Sequence, residues 1–274
     1  MSNPNRTVLI TGASSGIGKE AAIHLSRRGY HVFAGVRRPH SAALPQDVDV
    51  VQLDVTNDAS IAEAIDAIMK RAGRLDALVN NAGRSMIGPI EEATIEQATA
   101  LFDANVLGPL RLCRAVLPIM RGQRSGRIVN VSSAAATMPV PYMGFYSATK
   151  CALEALSEAL DHEVRGFGIR VAVVQLSYVR TNIDAAAERG SDMLQAYSTE
   201  RSRMASYFSA KIAGAPDPSD SARVIERAIW VDRFQRLSGS RDAQLVNAMR
   251  RWLPAALVDR AVRHSLGLDR RQGT

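Results

Sequence analysis

Short runs of mostly apolar residues alternate along this chain with longer segments in which apolar positions recur about every 3.6 residues. The runs are Thr7–Thr11, His31–Val36, 48–55, 75–79, 127–132 and Ile169–Leu176. Continuous apolar runs of this length predict strands buried on both faces, as in a parallel sheet. Between them, 19–28, 57–72, 93–120 (as two segments) and 147–160 carry helical spacing, for example at Ile61, Ala64, Ile65 and Ile68. Strands and helices alternating this regularly predict an α/β fold, a doubly wound parallel sheet flanked by helices. No linker-like stretch divides residues 1–274, so one domain is expected. Residues 182–215 form a segment of mixed apolar and charged character. A C-terminal extension, 216–274, opens at Pro216-Asp217-Pro218 and has helical patches at 220–231 and 245–262.

Composition narrows the choice of chemistry. A chain of 274 residues buries roughly three quarters of its unfolded surface as one α/β unit. Residues 1–6 are polar and lead straight into a strand, which predicts no signal peptide. No apolar run approaches the ~20 residues needed to span a bilayer. Cys113 and Cys151 stand apart in helical segments, as expected of free thiols in a reducing, cytoplasmic setting. His24, His31, His40, His162 and His264 show no metal-ligand spacing, so no metal site is expected. The net charge of +7 fits either a solvated basic surface or attraction to an anionic partner, and the first is the simpler account. No nucleic-acid motif accompanies it.

The first strand runs into Gly12-Ala13-Ser14-Ser15-Gly16-Ile17-Gly18 and then a helix. A glycine turn at the first strand-to-helix junction brings backbone N–H groups and a helix N-terminus up to a pyrophosphate. A plain tight loop is the competing reading, and the position favours the dinucleotide. A NAD site usually places an acidic residue about 20 residues further on. Here the chain reads Arg37-Arg38, two guanidiniums suited to gripping a 2′-phosphate, or else an exposed basic loop. NADP is therefore the expected cofactor, with NAD not excluded. Asp54, beside Val55, fits an adenine contact and a loop residue equally. Asn80-Asn81-Ala82-Gly83 at the end of the fourth strand suits close backbone approach to a ligand. Asn105, in an apolar stretch, is either a satisfied core amide or a group that holds a water.

Tyr146 and Lys150 are four residues apart in a helical segment, which puts them on one face one turn apart. A phenol titrates near pH 10, and moving it down by roughly 2–3 units takes about 3–4 kcal/mol. A positive charge about 4 Å away supplies on the order of 4 kcal/mol at an effective dielectric near 20. The pair is therefore a candidate proton-transfer site, with Ser132 and Ser133 just ahead of it.

In this order and spacing, Gly12-x-x-x-Gly16-x-Gly18, Asn80 to Gly83, Asn105, Ser133 thirteen residues before the tyrosine, and Tyr146-x-x-x-Lys150 resemble the short-chain dehydrogenase/reductase family. The resemblance covers residues 7 to about 181. It implies a Rossmann fold and an NADP- or NAD-dependent alcohol/carbonyl oxidoreductase. Tyr146 would act as general acid and base, Ser133 would bind the substrate oxygen, and Lys150 would hold the nicotinamide ribose. Asn105 would anchor a water in a proton relay. Cofactor contacts are implied for Gly12, Ser14, Ser15, Gly16, Ile17, Gly18, Arg37, Arg38, Asp54, Val55, Asn81, Ala82, Gly83, Tyr146, Lys150, Val179 and Thr181. One departure stands out: Leu176-Ser177 replaces the family's usual Pro-Gly ahead of this Thr.

The resemblance makes 182–215 a substrate lid, with Ile183, Met193, Leu194, Tyr197, Met204, Tyr207 and Phe208 facing a pocket or simply packing. Met138, Tyr142 and Met143, ahead of the tyrosine, join Ser133 and Tyr146 as candidate substrate contacts. A bulky apolar alcohol or carbonyl compound, steroid-, retinoid- or terpenoid-like, is the expected substrate. The 245–262 patch sets Arg250, Arg251, Arg260 and the adjoining Arg263 beside Trp252, Leu253 and Leu257. Packing on the domain or on a second subunit is expected there in preference to a membrane contact. Family likeness also implies a homodimer or homotetramer. The alternatives are a NAD-dependent dehydrogenase of small alcohols and a dinucleotide sensor without chemistry, against which the filled catalytic positions speak.

Overall fold

In the computed structural model, which describes residues 6–181 and 187–268, the apolar runs become a single sheet of parallel strands. They are β1 (Thr7–Thr11), β2 (His31–Val36), β3 (Val48–Gln52), β4 (Ala77–Asn80), β5 (Gly126–Ser133), β6 (Ile169–Leu176) and β7 (Arg236–Ser238). The order across the sheet is β3-β2-β1-β4-β5-β6-β7, with every neighbouring pair parallel. Parallel pairing requires crossovers, among them the helices α1 (Gly16–Arg27), α2 (Asp58–Ala72), α3 (Ile95–Phe102), α4 (Gly108–Gly122) and α5 (Gly144–Val164).

The strands read as continuous apolar runs because both faces are covered. Val8 and Ile10 of β1 point into one layer with Ala21, Ala22 and Leu25 of α1. Leu9 between them points into the other, with Ile61, Ile65 and Ile68 of α2 and Leu112 and Val116 of α4. Strand order reverses direction between β1 and β4, and such a switch point opens a crevice at the strands' carboxyl ends. The glycine turn, Arg37, Asn81, Ser133 and Thr181 all follow or end strands on that edge.

Several local features differ from expectation. The third strand ends at Gln52 because the Asp54 carboxylate turns the chain, accepting from the Thr56 N–H at 2.9 Å and its hydroxyl at 2.7 Å. The two helices expected within 93–120 are present, but what joins them is a π-turn, Asp103–Leu107, that contains Asn105. The patch 245–262 is two helices, α8 (Arg241–Trp252) and α9 (Ala255–Ser265), because Pro254 cannot donate within a continuous helix. The extension also holds β7, so it is not wholly helical. Helices α6 (Ser198–Ala213) and α7 (Pro218–Ile229) cross from β6 to β7; α7 covers the first layer. Ile183 lies outside the described residues.

The fully buried carboxylate of Asp161 ties α5 to β6. It accepts from the Val171 N–H at 2.9 Å and is ion-paired to Arg165 at 2.9 Å and Arg170 at 3.2 Å. Asp161→Ala strands the mostly buried Arg170 guanidinium and the Val171 N–H and is expected to cost about 3 kcal/mol of stability, read as a lower denaturation midpoint.

Candidate active site

Each candidate side chain is placed by the element it ends or begins. Tyr146 sits in the first turn of α5, where the helix dipole favours negative charge on its oxygen. Lys150 follows one turn later, its Nζ 5.7 Å from the centroid of the Tyr146 ring. That ammonium is buried and donates to the Val131 carbonyl of β5 at 2.9 Å. Burial pushes its pKa down to about 8, while the Glu154 carboxylate acts in the opposite direction.

The two serines separate cleanly. Ser132 is buried and donates to Glu154 Oε1 at 2.7 Å. Ser133, half-buried at the end of β5, accepts from the Ala135 N–H at 3.2 Å. The Asn105 side chain is satisfied: Nδ2 donates to the Arg84 carbonyl at 2.9 Å and to Thr149 Oγ1 at 3.1 Å, and Oδ1 accepts from the Arg84 N–H at 2.8 Å. It braces the loop after Gly83 against α5. A Cβ on Gly83 would lie 3.2 Å from Asn105 Oδ1 and 3.8 Å from Lys150 Nζ, so these groups converge. The π-turn around Asn105 inserts an extra residue into the helix, a distortion that recurs at functional sites.

The glycine turn closes against β4. Gly12 and Gly16 adopt φ of 66° and 55°, open to glycine at little strain. A Cβ on Gly12 would lie 2.8 Å from Ala82 Cα, and one on Gly18 only 2.4 Å from Asn81 Nδ2. Thr11 Oγ1 accepts from the N–H groups of Asn81 and Ala82 at 3.0 and 2.9 Å. Ser15 caps α1 through its backbone alone, and no acidic residue occupies the first turn. The N-terminal N–H groups around Gly16, Ile17 and Gly18 are thus available to an anion. Ser14 and Ser15 are exposed on this turn. Thr181 closes over it, its methyl carbon 3.2 Å from where a Gly16 Cβ would lie.

Arg37, Arg38 and His40 border a surface hollow of about 450 Å³ with Pro39 and Gln52. Val55 packs on Gly108 at the start of α4, and Val179 packs against the first layer. A second cavity, of about 270 Å³, lies under α6. Met204, Phe208, Tyr142 and Thr181 line it, with the buried Glu92 ion-paired to Arg201 at its edge. Met143, Tyr142 and Tyr146 share one apolar cluster with Met204 and Phe208; Met138 belongs to neither cluster nor cavity. Tyr178 fills the loop that lacks Pro-Gly and meets the Phe208 ring at 6.4 Å. Burial pushes Cys113 up to about 12 and raises Cys151, so neither thiol ionises at neutral pH.

One family model, described as short chain dehydrogenase, matches residues 6–192, more than half of the chain and including the glycine turn, Ser133, Tyr146 and Lys150. The chain belongs to the short-chain dehydrogenase family. A short-chain dehydrogenase from Streptomyces avermitilis shares the fold at a TM-score of 0.82, with 33% identity over 99% of this chain and 100% of that one. The 3-ketodihydrosphingosine reductase of Bacteroides thetaiotaomicron is 45% identical over 168 residues, covering 61% of this chain and 62% of the relative. Retinol dehydrogenase 8 of Bos taurus is 38% identical over 196 residues, covering 67% of this chain and 62% of the relative. The matched part therefore spans less than two thirds of either relative's length.

Sequence reasoning overlooked Glu154. It lies one turn past Lys150 on α5, so the helical spacing that paired Tyr146 with Lys150 would have found it. Its buried carboxylate accepts from Ser132, from Gln175 Nε2 at 2.8 Å and from Arg236 Nε at 3.0 Å. Gln175 in turn accepts from Asn247 of α8 at 2.7 Å, which links the extension to the site's floor.

Proposed function

We propose that the chain is an NADP(H)-dependent oxidoreductase of bulky apolar alcohols or carbonyl compounds. The observation that carries this reading is Tyr146 with Lys150 on one face of α5, the lysine's ammonium buried against the Val131 carbonyl of β5, the strand that ends at Ser133. The open glycine turn, the uncapped start of α1 and the Arg37–Arg38 hollow fit a phosphorylated dinucleotide. Gly12, Ser14, Ser15, Gly16, Ile17 and Gly18 would hold its pyrophosphate, and Asp54, Val55 and Asn81 to Gly83 the adenosine. Lys150, Val179 and Thr181 would hold the nicotinamide end. Bound there, the nicotinamide supplies or accepts the hydride.

The protein's own part is the proton. Tyr146 Oη gives a proton to the substrate oxygen in reduction and takes it back in oxidation, while Ser133 Oγ donates to that oxygen and fixes its place. Lys150 holds positive charge beside the phenol, and Asn105 holds the loop that bounds the proton's exit. The apolar walls of the cavity under α6 favour a large, water-poor substrate, and two relatives are named for retinol and for 3-ketodihydrosphingosine. Exposed Leu107, Leu110 and Leu156 on or beside α4 and α5 support a homo-oligomer formed through those helices.

The cofactor preference has its own test. Arg37 is exposed beside the hollow, with the half-buried Asp54 carboxylate as an electrostatic neighbour, so its guanidinium can turn to a 2′-phosphate. Arg37→Ala is expected to weaken NADPH roughly 10- to 100-fold and NADH hardly at all. Equal weakening of both in a fluorescence titration would remove the 2′-phosphate assignment.

A further inference from the structure

Helices α8 and α9 are anchored from within and bare at their junction. Ala243 of α8 is fully buried, and Asn247 binds Gln175 and Ser238 at 2.7 and 3.2 Å. Val258 of α9 is buried, while Val262 and Leu266 pack in the cluster of Met204 and Phe208, two residues that line the cavity under α6. Between these anchors the chain turns at Pro254, and no residue from 248 to 257 is buried. The six residues Trp252-Leu253-Pro254-Ala255-Ala256-Leu257 are all apolar and all exposed, with Trp252 at 75%, Leu253 at 42% and Leu257 at 52%. Isolated apolar residues are normal on a surface, whereas a contiguous exposed run marks a contact.

Its surroundings say with what. Residues 248–261 carry three arginines, Arg250, Arg251 and Arg260, against one acid, Asp259. Among the described residues none of the three arginines has an acidic partner; Arg251 lies over the Trp252 ring at 5.2 Å. We propose that this tip docks on an anionic phospholipid surface. Trp252, Leu253 and Leu257 enter the headgroup boundary, and the arginines lie on the headgroup phosphates. An indole is suited to that depth, being apolar in body and polar at one edge. A second copy of the chain is the weaker occupant. A two-fold contact through the tip would set each arginine cluster against its equal, where unpaired like charges repel. No described helix is long and apolar enough to cross a bilayer, so the contact is with one leaflet. Docked this way, the protein places its α6 cavity behind the helices that touch the lipid.

The test is co-sedimentation of the full chain with vesicles of mixed phosphatidylcholine and phosphatidylglycerol, beside vesicles of phosphatidylcholine alone. Expected is binding to the mixed vesicles that falls at least roughly tenfold in Trp252→Glu with Leu253→Glu. Arg250→Gln with Arg251→Gln and added salt should weaken it as well. All these side chains are exposed, so unchanged circular dichroism should show that the variants fold. A blue shift of indole emission with mixed vesicles, retained in Trp230→Phe and lost in Trp252→Phe, reports the same insertion. Sedimentation with neither vesicle, or with both alike and insensitive to salt, overturns the proposal. So does a lipid-free dimer that Trp252→Glu dissociates while vesicles bind nothing.

Discussion

Tyr146→Phe is expected to lower turnover on the order of 10³-fold while leaving cofactor affinity within about twofold of the parent. The ring is part of the apolar cluster with Tyr142, Met143, Met204 and Phe208, and Phe keeps that packing. What is lost is the oxygen. In the account above, the hydroxyl carries the proton to or from the substrate oxygen, and no second acid stands ready to replace it. Ser133 is a poor substitute, because an alcohol gives up its proton far less readily than a phenol. Neither thiol ionises near neutrality, and among the described residues no group of three His, Cys, Asp or Glu side chains is placed to hold a metal. A variant that retained turnover would show that the proton comes from elsewhere.

Lys150→Met should remove activity as thoroughly and, unlike Tyr146→Phe, weaken the dinucleotide. It should also stabilise the cofactor-free protein at neutral pH. The ammonium is buried, and its pKa falls from 10.5 to about 8 on folding, which means that the folded state disfavours the charge. Below about pH 8 the lysine is charged in both folded and unfolded chains, and the penalty is present in full. Between about 8 and 10.5 the unfolded chain holds more protons than the folded one, so this residue's contribution to stability rises with pH. The penalty is on the order of 3 kcal/mol. Thermal melts of parent and variant should therefore differ most at neutral pH and converge as pH approaches 10. A gap that stayed constant would mean that the ammonium is not strained by burial. Such a trade between stability and activity is common where a site needs a buried charge.

The parallel sheet was legible because its strands are buried on both sides. For Thr7–Thr11, His31–Val36 and Ile169–Leu176, apolar runs and strands coincide residue for residue. β7 left no such trace: only Leu237 of its three residues is apolar, and it is held by pairing to β6. The π-turn at Asn105 was invisible to helical periodicity, because one inserted residue shifts the apolar face without breaking it. Pro254 was a readable break that the apolar spacing on either side obscured. Around the site, Tyr146, Lys150, Ser133 and the glycine turn could be picked out by spacing, since each is set by a helical turn or a strand end. Glu154 and its partners Gln175, Arg236 and Asn247 come from elements far apart in sequence, and only the folded chain joins them. In the sequence only the resemblance favours Ser133 over Ser132; the engagement of Ser132 with the buried Glu154 is visible only in the folded chain.

The central claim is turnover of a bulky apolar alcohol or carbonyl compound at the Tyr146–Lys150 pair. The direct measurement is the change in nicotinamide absorbance over a panel of steroids, retinoids, terpenoid alcohols and short alcohols. It is run with NADP(H) and NAD(H) in parallel, with Tyr146→Phe as the blank. Turnover is expected only with the bulky apolar compounds, faster with NADP(H), and not in the blank. Tight cofactor binding with no turnover across the panel, or equal turnover in the blank, would contradict it.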